Sequence, residues 1–394
     1  MTGYRWAQGF SGQWRALLLC FALTLAPFHS IPADEAPIRI GLSLGLTGKY
    51  AKLAEMLDRA YRLWVRDVNQ SGGLLGRPVE IVIKDDQSSP EVAVELYREL
   101  IHDSSVDLVF GPYSSAITAA VAPVVEKAGY PMLAAGAASD TIWQQGYTNI
   151  FGVFTPASRY ALGMLDLALL NDLTTIAIVY PNDPFSVSAA GGVKKWAPKL
   201  GLDVVMFEKF EKGQRDLVKL ARKIALVQPS MVMMTGHFNE SVDMRIALKK
   251  VGWYPAAYYA TIGPVLGEYR EILGEDADLS FANSFWEPML KYPQSQRFAA
   301  SFRAEYGVTP SYQAADAYAA GQILERAVIS ANSLSRDKIR SSLRRLEMQT
   351  VIGRYGVDAT GVQVKHFALT IQWQEGKKEI VWPEELATAK PIFK

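Results

Sequence analysis

Residues 111–140 read GPYSSAITAAVAPVVEKAGYPMLAAGAASD, and this stretch decides the predicted fold because it places a helical pattern between two turns of small and hydroxyl residues. The apolar run 106–110 before it is typical of a buried parallel strand. Ser114 and Ser115 stand where the N-cap of a helix belongs, and apolar residues at helical spacing continue as far as Gly129. The sequence therefore predicts a strand, a tight turn and a helix in direct succession.

The second turn repeats this design. Residues 131–134 predict another buried strand, which ends at the small residues 136–139 before a further helix start. Serines and glycines at helix starts are ordinary caps when each turn is taken alone. Two such turns in succession at the carboxyl edge of a parallel sheet expose backbone N–H groups and hydroxyls where open α/β sheets bind ligands. We therefore expect them to form the floor of a cleft for a carboxylate or another anionic or hydrogen-bonding head group.

Length and charge narrow the class of protein. A chain of 394 residues is too long for one core and indicates two domains of ordinary size. With 49% hydrophobic and 21% charged residues, the composition is that of a soluble globular protein. The 41 basic residues nearly balance the 40 acidic ones, which argues against nucleic acid or an anionic membrane surface as the main partner.

The N-terminal segment has the pattern of a cleavable signal peptide over residues 1–33. Arg5 and Arg15 precede the apolar run 16–28, which is too short to span a bilayer. Cleavage is expected after Ala33, with Ser30 as the alternative, and an uncleaved N-terminal helix is the other interpretation. The only cysteine, Cys20, lies within the run after three leucines, so we expect a soluble exported protein without a thiol rather than a lipoprotein.

Strands alternate with helices along the mature chain, and this alternation predicts an α/β fold of two doubly wound parallel-sheet lobes. The predicted strands are 37–44, 79–83, 106–110, 131–134, 176–180, 204–207, 232–235, 257–261 and 281–286, followed by a hairpin over 364–382. The predicted helices are 52–68, 89–101, 115–128, 158–170, 186–199, 216–227, 241–251 and 312–330. The last helix is expected to complete the first lobe.

Several motifs resemble one family in their order and spacing. They are the loop Thr47-Gly48-Lys49-Tyr50, the glycine-containing turn 69–76, the pair Asp85-Asp86 before Pro90, the GPYSS and AASD turns, and the closing segment IQWQEGKKEIVWP. Together they resemble type I periplasmic solute-binding proteins, and most closely the Leu/Ile/Val-binding, or hydrophobic amino-acid, branch of ABC importers. The similarity extends over essentially the whole mature chain.

The resemblance implies two α/β lobes joined by a three-segment hinge, which close around a small ligand. It assigns residues 34–155 and 285–345 to the first lobe, 156–284 to the second, and 346–394 to the return to the second lobe, the hinge and the C-terminal hairpin. It also implies a monomer in the periplasm that needs no cofactor and delivers its ligand to a permease in the inner membrane.

The resemblance also assigns ligand-binding residues in the first lobe. Ser115 matches the helix-start serine that binds the ligand carboxylate, with backbone help from Tyr113 and Ser114. Ala137 and Ser139 match positions where a backbone carbonyl and a hydroxyl contact the head group.

The remaining assigned residues are aromatic. Tyr50 matches an aromatic residue of the cleft, and Phe185 and Phe238 of the second lobe stand at positions that are often tyrosine. Trp286, near a lobe crossing, is a weaker candidate. For the two phenylalanines, ordinary core packing is the alternative.

One position departs from the family pattern. Amino-acid binders of the family place an acidic residue of the second lobe on the ligand's ammonium group. In this chain the resemblance places Ile262 or a neighbour there, within the segment Thr261-Ile262-Gly263-Pro264. Burial of an ammonium group without a carboxylate is costly. Glu240 is the alternative partner. Otherwise the ligand is a carboxylate or amide whose aromatic or aliphatic body stacks against Phe185 and Phe238.

Enzymatic alternatives have little support in the sequence. Residues 41–45, GLSLG, match a nucleophile elbow and make Ser43 a remote esterase candidate, but helical spacing begins only near Lys52. No His or Cys pair has the spacing of metal ligands, no phosphate-binding glycine motif occurs, and Asp85-Asp86 is typical of a solvated turn. The non-enzymatic alternative is a ligand-sensing receptor or amide sensor of the same fold, which gene neighbourhood would distinguish from a transport protein.

Overall fold

Two parallel sheets organise the residues described in this computed structural model, 36–102 and 106–394. The predicted signal peptide, residues 1–33, lies outside the described residues. The strands are β1 Ile38–Leu44, β2 Val79–Asp85, β3 Leu108–Phe110, β4 Met132–Ala134, β5 Ile150–Gly152, β6 Thr175–Pro181, β7 Asp203–Phe210, β8 Met231–Met234, β9 Ala257–Ala260, β10 Ser280–Ser284, β11 Met348–Thr350, β12 Gly353–Tyr355, β13 Leu369–Gln374 and β14 Lys377–Trp382.

Helices cover the faces of both sheets. They are α1 Ala51–Gln70, α2 Pro90–His102, α3 Ser115–Ala128, α4 Leu162–Leu170, α5 Pro184–Trp196, α6 Val218–Val227, α7 Phe238–Val251, α8 Gly267–Leu273, α9 Pro293–Tyr306, α10 Tyr312–Ala331 and α11 Arg336–Arg345. Short 3₁₀ turns at Asp140–Gln145, Ala157–Arg159 and Gly263–Val265 border the site described below.

The first lobe is built on a five-stranded sheet of order β2-β1-β3-β4-β5, in which every pair is parallel. Alternate residues of β1, namely Ile38, Ile40, Leu42 and Leu44, are buried on one face. On the other face, a Cβ atom at Gly41 would lie 3.2 Å from Leu100 of α2. Both faces of the sheet are therefore covered, as parallel sheets require.

The second lobe is built on a seven-stranded sheet of order β14-β13-β10-β9-β8-β6-β7. Strands β6 to β10 pair in parallel, whereas β13 and β14 form the predicted hairpin and pair antiparallel at one edge. The prediction of an α/β chain with two parallel-sheet lobes is confirmed. The residue boundaries of the lobes stay a prediction.

The chain passes between the sheets after β5, after β10 and before β13, and the crossings lie beside one another. Thr155 of the first crossing donates its hydroxyl to the carbonyl oxygen of His366 in the third, at 2.8 Å. The ring of Phe285 in the second crossing lies 5.9 Å from the ring of His366. These contacts join the three segments into one hinge region.

Helix α10 returns the chain to the first lobe, where it packs along α1 and reaches β4. Its buried face is rich in alanine, and Gly321 allows a close approach, because a Cβ atom there would lie 2.3 Å from the ring of Trp64 on α1. This packing brings the N-terminal turn of α10 to the carboxyl edge of the first sheet.

Candidate ligand-binding site between the lobes

A cavity of about 40 Å³ lies between the lobes, at the carboxyl edge of the first sheet. Its lining combines two turns of the first lobe, the start of α10, the first crossing segment and the helix starts of the second lobe. The lining residues are Tyr113, Ser114, Ser115, Ala135, Gly136, Ala138, Phe154, Tyr160, Phe185, His237, Ile262, Tyr312, Gln313 and Asp316.

Ser115 connects the two turns of the first lobe. Its hydroxyl oxygen accepts hydrogen bonds from the backbone nitrogens of Ala138 at 3.1 Å and Ser139 at 3.0 Å. Its own hydroxyl hydrogen remains available to a ligand oxygen. Ser115 therefore both shapes the floor of the cavity and can donate a hydrogen bond into it.

Ser114 caps α3 from a rare backbone conformation. Its φ is 129° and its ψ is 161°, and its hydroxyl oxygen accepts from the nitrogen of Ile117 at 3.5 Å. Such a conformation costs free energy for a residue with a side chain, and residues of this kind cluster at functional sites. It turns the backbone of residues 113–115 toward the cavity.

The two turns also touch directly, and this contact requires a glycine. A Cβ atom at Gly136 would lie 2.9 Å from Cα of Tyr113. The ring of Tyr113 packs edge to face against Tyr50, with 5.4 Å between centroids. Tyr50 therefore supports the lining from behind rather than forming part of it.

On the second-lobe side, a charged cluster positions the helix starts. Asp183 caps α5 by accepting from the nitrogen of Ser186 at 3.1 Å and from its hydroxyl at 2.8 Å. It also lies 3.2 Å from Nε2 of His237 and 3.5 Å from Nζ of Lys212. Burial raises the pKa of Asp183, but the hydrogen bond and charge of His237 and the charge of Lys212 outweigh it, so the pKa lies well below its usual range. The carboxylate thereby holds His237 at the cavity, where its ring lies 5.1 Å from that of Phe185.

Aromatic rings form the wall nearest the hinge. Phe285 lies 4.8 Å from Phe154, 4.7 Å from Tyr160 and 5.2 Å from Tyr312. Tyr160 in turn lies 5.6 Å from Phe185. A wall of packed rings opposite a floor of hydroxyls and amides suits a ligand with a polar head and an apolar body.

Five predicted site residues line the cavity together: Tyr113, Ser114, Ser115, Phe185 and Ile262. The hydroxyl of Ser139, in contrast, lies 2.9 Å from Oγ of Ser188 and 3.0 Å from the carbonyl oxygen of Pro184. The side chain of Ala137 packs in the core with α3, while its neighbours Gly136 and Ala138 face the cavity.

Phe238 and Trp286 also lie outside the cavity lining. Phe238 packs with a cluster that includes Tyr269, on another side of α7. Trp286 is buried against Phe298 of α9, and its Nε1 donates to the hydroxyl of Ser295 at 2.5 Å. Glu240 is buried and pairs with Lys212 at 2.7 Å. The residue beside Phe238, His237, lines the cavity instead.

Sequence reasoning missed the lining residues Phe154, Tyr160, His237, Tyr312, Gln313 and Asp316. One signal was present for the last two, because Gln313 and Asp316 stand three residues apart among alanines. That spacing places them on one face of a helix whose neighbouring residues are buried. A polar pair on a buried face indicates a site rather than a surface.

The geometry around Ser43 does not suit a nucleophile. Ser43 lies inside β1, is fully buried, and donates its hydroxyl to Asp86 at 2.7 Å. His366, which could in principle serve a serine nucleophile as a general base, is buried in the hinge against Thr155. Within residues 36–102 and 106–394, no group of three or more His, Cys, Asp or Glu side chains could hold a metal ion.

Two α/β lobes that enclose a small cavity at a hinge define a solute-binding protein. The chain belongs to the periplasmic binding protein family, which residues 37–378 match. It is 27% identical over 394 residues to the Leu/Ile/Val-binding protein homolog 8 of Brucella suis, with 95% of this chain and 96% of the relative covered.

Solved structures share the fold. The branched-chain amino acid transporter substrate binding protein LivJ of Streptococcus pneumoniae, in complex with isoleucine, superposes with a TM-score of 0.77 at 22% identity, covering 91% of this chain and 100% of that one. A solute binding protein of an ABC transporter from R. palustris, in complex with benzoate, gives a TM-score of 0.76 at 20% identity, with 91% and 98% covered. Within the described residues, no helix is both long enough and apolar enough to cross a membrane.

Proposed function

We propose that the chain captures a small hydrophobic amino acid, or a related carboxylate or amide, in the interlobe cavity and delivers it to an ABC permease. The observation that carries the proposal is the Ser115 hydroxyl, which joins two amide-rich turns opposite a wall of aromatic rings. The first feature suits a carboxylate, and the second suits an apolar body.

The relatives support this ligand class. The Brucella relative carries a Leu/Ile/Val-binding name, one structural neighbour holds isoleucine and another holds benzoate. Isoleucine and benzoate share a carboxylate and an apolar body and differ in the ammonium group. The hydroxyls and amides of the cavity floor suit the shared carboxylate, and the aromatic wall suits the shared apolar body. Neither feature supplies a partner for an ammonium group.

Contacts between the lobes fit a hinge that closes on its ligand. Lys52 of α1 pairs with Glu268 of α8 at 2.5 Å, and Ser139 bonds to Ser188. The exposed ion pair and the single neutral hydrogen bond each contribute only about 1 kcal/mol. Ligand contacts made with both lobes can therefore decide whether the closed state is favoured.

The proposal includes export by the N-terminal segment to the periplasm, action as a monomer, and no catalysis. Its ligand-binding residues are those predicted positions that line the cavity, with Ser115 and the backbone of Tyr113 and Ser114 at the ligand carboxylate. In this proposal Ser139 does not contact the ligand; its hydrogen bond to Ser188 of α5 stabilises the closed arrangement of the lobes.

The test is a thermal shift of the processed chain, purified after export, against hydrophobic amino acids, their deaminated acids, aromatic acids and amides. A ligand that binds only the folded state raises the melting temperature, and at about 100 times its Kd it adds about 2.7 kcal/mol. Amines of the same carbon skeleton without a carboxylate are the control and should produce no shift. If no acid, amide or amino acid raises the melting temperature, the proposed ligand class is wrong.

A further inference from the structure

Asp316 is a buried carboxyl group that faces the cavity without a partner. Its side chain is 1% exposed, and neither carboxyl oxygen has a hydrogen-bond partner among the described residues. Gln313, one turn earlier on α10, is 2% exposed, and its carboxamide also lacks a partner there. Buried polar groups in folded proteins are nearly always paired. Two unpaired groups on one helix face of a ligand cavity therefore indicate a polar ligand group that they bind.

Within the described residues, no positive charge offsets the burial of the Asp316 carboxyl group. The titratable groups that interact with its charge are Tyr61 of α1, Tyr113 of the first turn, Tyr160 of the crossing segment and Tyr312 of α10 itself. Burial raises the pKa of Asp316 well above its usual range. This shift favours the protonated form of the carboxyl group in the empty site, whereas a cation beside it would favour ionisation.

Asp316 also differs from the acids of the second lobe. Among the described residues that line the cavity, it is the only one with a carboxyl group. Glu240 is paired with Lys212 at 2.7 Å, and Asp183 contacts His237 and Lys212. Ile262, which replaces the acid expected from the resemblance, offers no charge. An incoming ammonium group therefore finds its free carboxyl partner in the first lobe.

We propose that Asp316 accepts the ammonium group of a zwitterionic α-amino acid, with the carboxamide oxygen of Gln313 as a second acceptor. This inference rests on the proposed function and specifies its ligand. The first lobe then holds both charged ends of the ligand, the carboxylate at Ser115 and the ammonium at Asp316. The second lobe contributes Phe185, His237 and Ile262 to the ligand's side chain, so it selects among amino acids rather than recognising the head group.

The decisive experiment is isothermal titration calorimetry of the processed chain with two matched ligand pairs. Leucine is compared with 4-methylpentanoate, and phenylalanine with 3-phenylpropanoate, which lack only the amino group. Asp316→Asn should weaken amino-acid binding at least about tenfold, because the buried cation loses its counter-charge. It should leave the affinity for the deaminated acids within about threefold.

The matched control variant is Glu240→Gln, which removes the same charge from a buried carboxyl group that is paired and lies outside the lining. Any effect of this variant should be equal for an amino acid and its deaminated acid. Only Asp316→Asn should lower the affinity for an amino acid more than the affinity for its deaminated acid.

A second measurement uses the wild-type chain, so it stands even if the Asp316 variant does not fold. On amino-acid binding near pH 7, the Asp316 carboxyl group loses its proton to the buffer, while the ligand ammonium keeps all of its own protons. Titrations in two buffers of different ionisation enthalpy should therefore report release of up to about one proton per ligand. The deaminated acids should release no proton from Asp316. His237 lines the same cavity for both ligands, so any contribution from it cancels when the two titrations are compared.

Each failure is distinguishable. If deaminated acids bind as tightly as amino acids, or if Asp316→Asn keeps full amino-acid affinity, the inference is overturned while the proposed function stands. The inference is also overturned if binding of an amino acid releases no more protons than binding of the matched deaminated acid. If no ligand of either kind binds the wild-type chain, the proposed function fails and the inference fails with it.

Discussion

The hydroxyl oxygen of Ser115 accepts a hydrogen bond from the backbone nitrogen of Ser139 at 3.0 Å, across a sequence separation of 24 residues. This bond fixes the second turn of the first lobe relative to the start of α3. The same oxygen accepts from Ala138, so one hydroxyl satisfies two buried backbone donors. The residue that faces the ligand is therefore also the residue that holds the floor of the cavity together.

Ser115→Ala should weaken ligand binding by roughly 1 to 3 kcal/mol, because a donor to the ligand is lost and two buried N–H groups lose their acceptor. Calorimetry with the tightest ligand of the panel measures the effect. Ser43→Ala is the matched control, since this buried hydroxyl bonds to Asp86 away from the cavity. The control should reduce the melting temperature without changing affinity. Unchanged affinity in Ser115→Ala would remove the two turns from the binding site.

Ser139→Ala should act on closure of the lobes rather than on the ligand directly. The Ser139 hydroxyl bonds to Ser188 and to the carbonyl oxygen of Pro184 on α5. We expect a loss of affinity of about 1 kcal/mol for either Ser139→Ala or Ser188→Ala, since a neutral hydrogen bond contributes about that much net free energy. The double variant should lose no more than the larger single effect, because both residues share one contact. Additive losses would instead indicate that Ser139 contacts the ligand.

The sequence predicted the elements that local patterns define. Helix α3, for example, was expected to start after Ser114 and to end before Gly129, and it spans Ser115–Ala128 with Ser114 as its N-cap. Apolar periodicity and cap residues determine such bounds without reference to the rest of the chain. Most strands were predictable for the same reason, whereas the three-residue strands β5, β11 and β12 and the helices α8, α9 and α11 were not predicted.

Side-chain direction was harder to predict, because one position changes it. Phe238 is the first residue of α7 and packs toward Tyr269, whereas His237 precedes the helix in extended backbone and lines the cavity. Just beyond β10, Phe285 packs on the cavity's aromatic wall while the next residue, Trp286, packs in the core. Alternation of side chains in extended backbone explains that difference.

Long-range packing accounts for the residues that were missed. Asp316 lies about 200 positions after Ser115 along the chain. Only the packing of α10 along α1 brings the two to one cavity, and the alanine pattern of α10 predicts a buried helix without identifying its neighbours. The spacing of Gln313 and Asp316 therefore indicated a polar site, but its location depended on the tertiary fold.

Gly321→Ala should destabilise the protein by roughly 1 to 3 kcal/mol, because the added methyl group would overlap the ring of Trp64 and push α10 away from α1. Since Asp316 lies on the same helix, ligand affinity should fall as well. Urea denaturation and calorimetry measure the two effects. Gly191→Ala in α5 is the control, because nothing lies within 4 Å of its added methyl group. That change should leave stability equal or slightly higher. Equal stability of both variants would show that α1 and α10 do not pack as closely as described.

His366 should make the folded protein less stable in mild acid. Burial lowers the pKa of His366 to about 4, although its hydrogen bonds to the backbone of Phe285 and Ile352 oppose the shift. In the unfolded chain the pKa of a histidine is about 6.5. As the pH falls below about 6.5, the unfolded state therefore takes up a proton that the folded state resists, and the free energy of unfolding decreases. The loss from this group should reach roughly 2 kcal/mol by about pH 5 and level off below about pH 4, once both states are protonated.

Urea denaturation of the wild-type chain and of His366→Gln, at about pH 7 and about pH 5, isolates this contribution. Other groups titrate in both proteins alike, so the difference between their pH dependences reports His366. The variant should lose less stability between the two pH values, by roughly 2 kcal/mol. Parallel pH dependences in the wild type and His366→Gln would mean that the hinge histidine is not held neutral by burial.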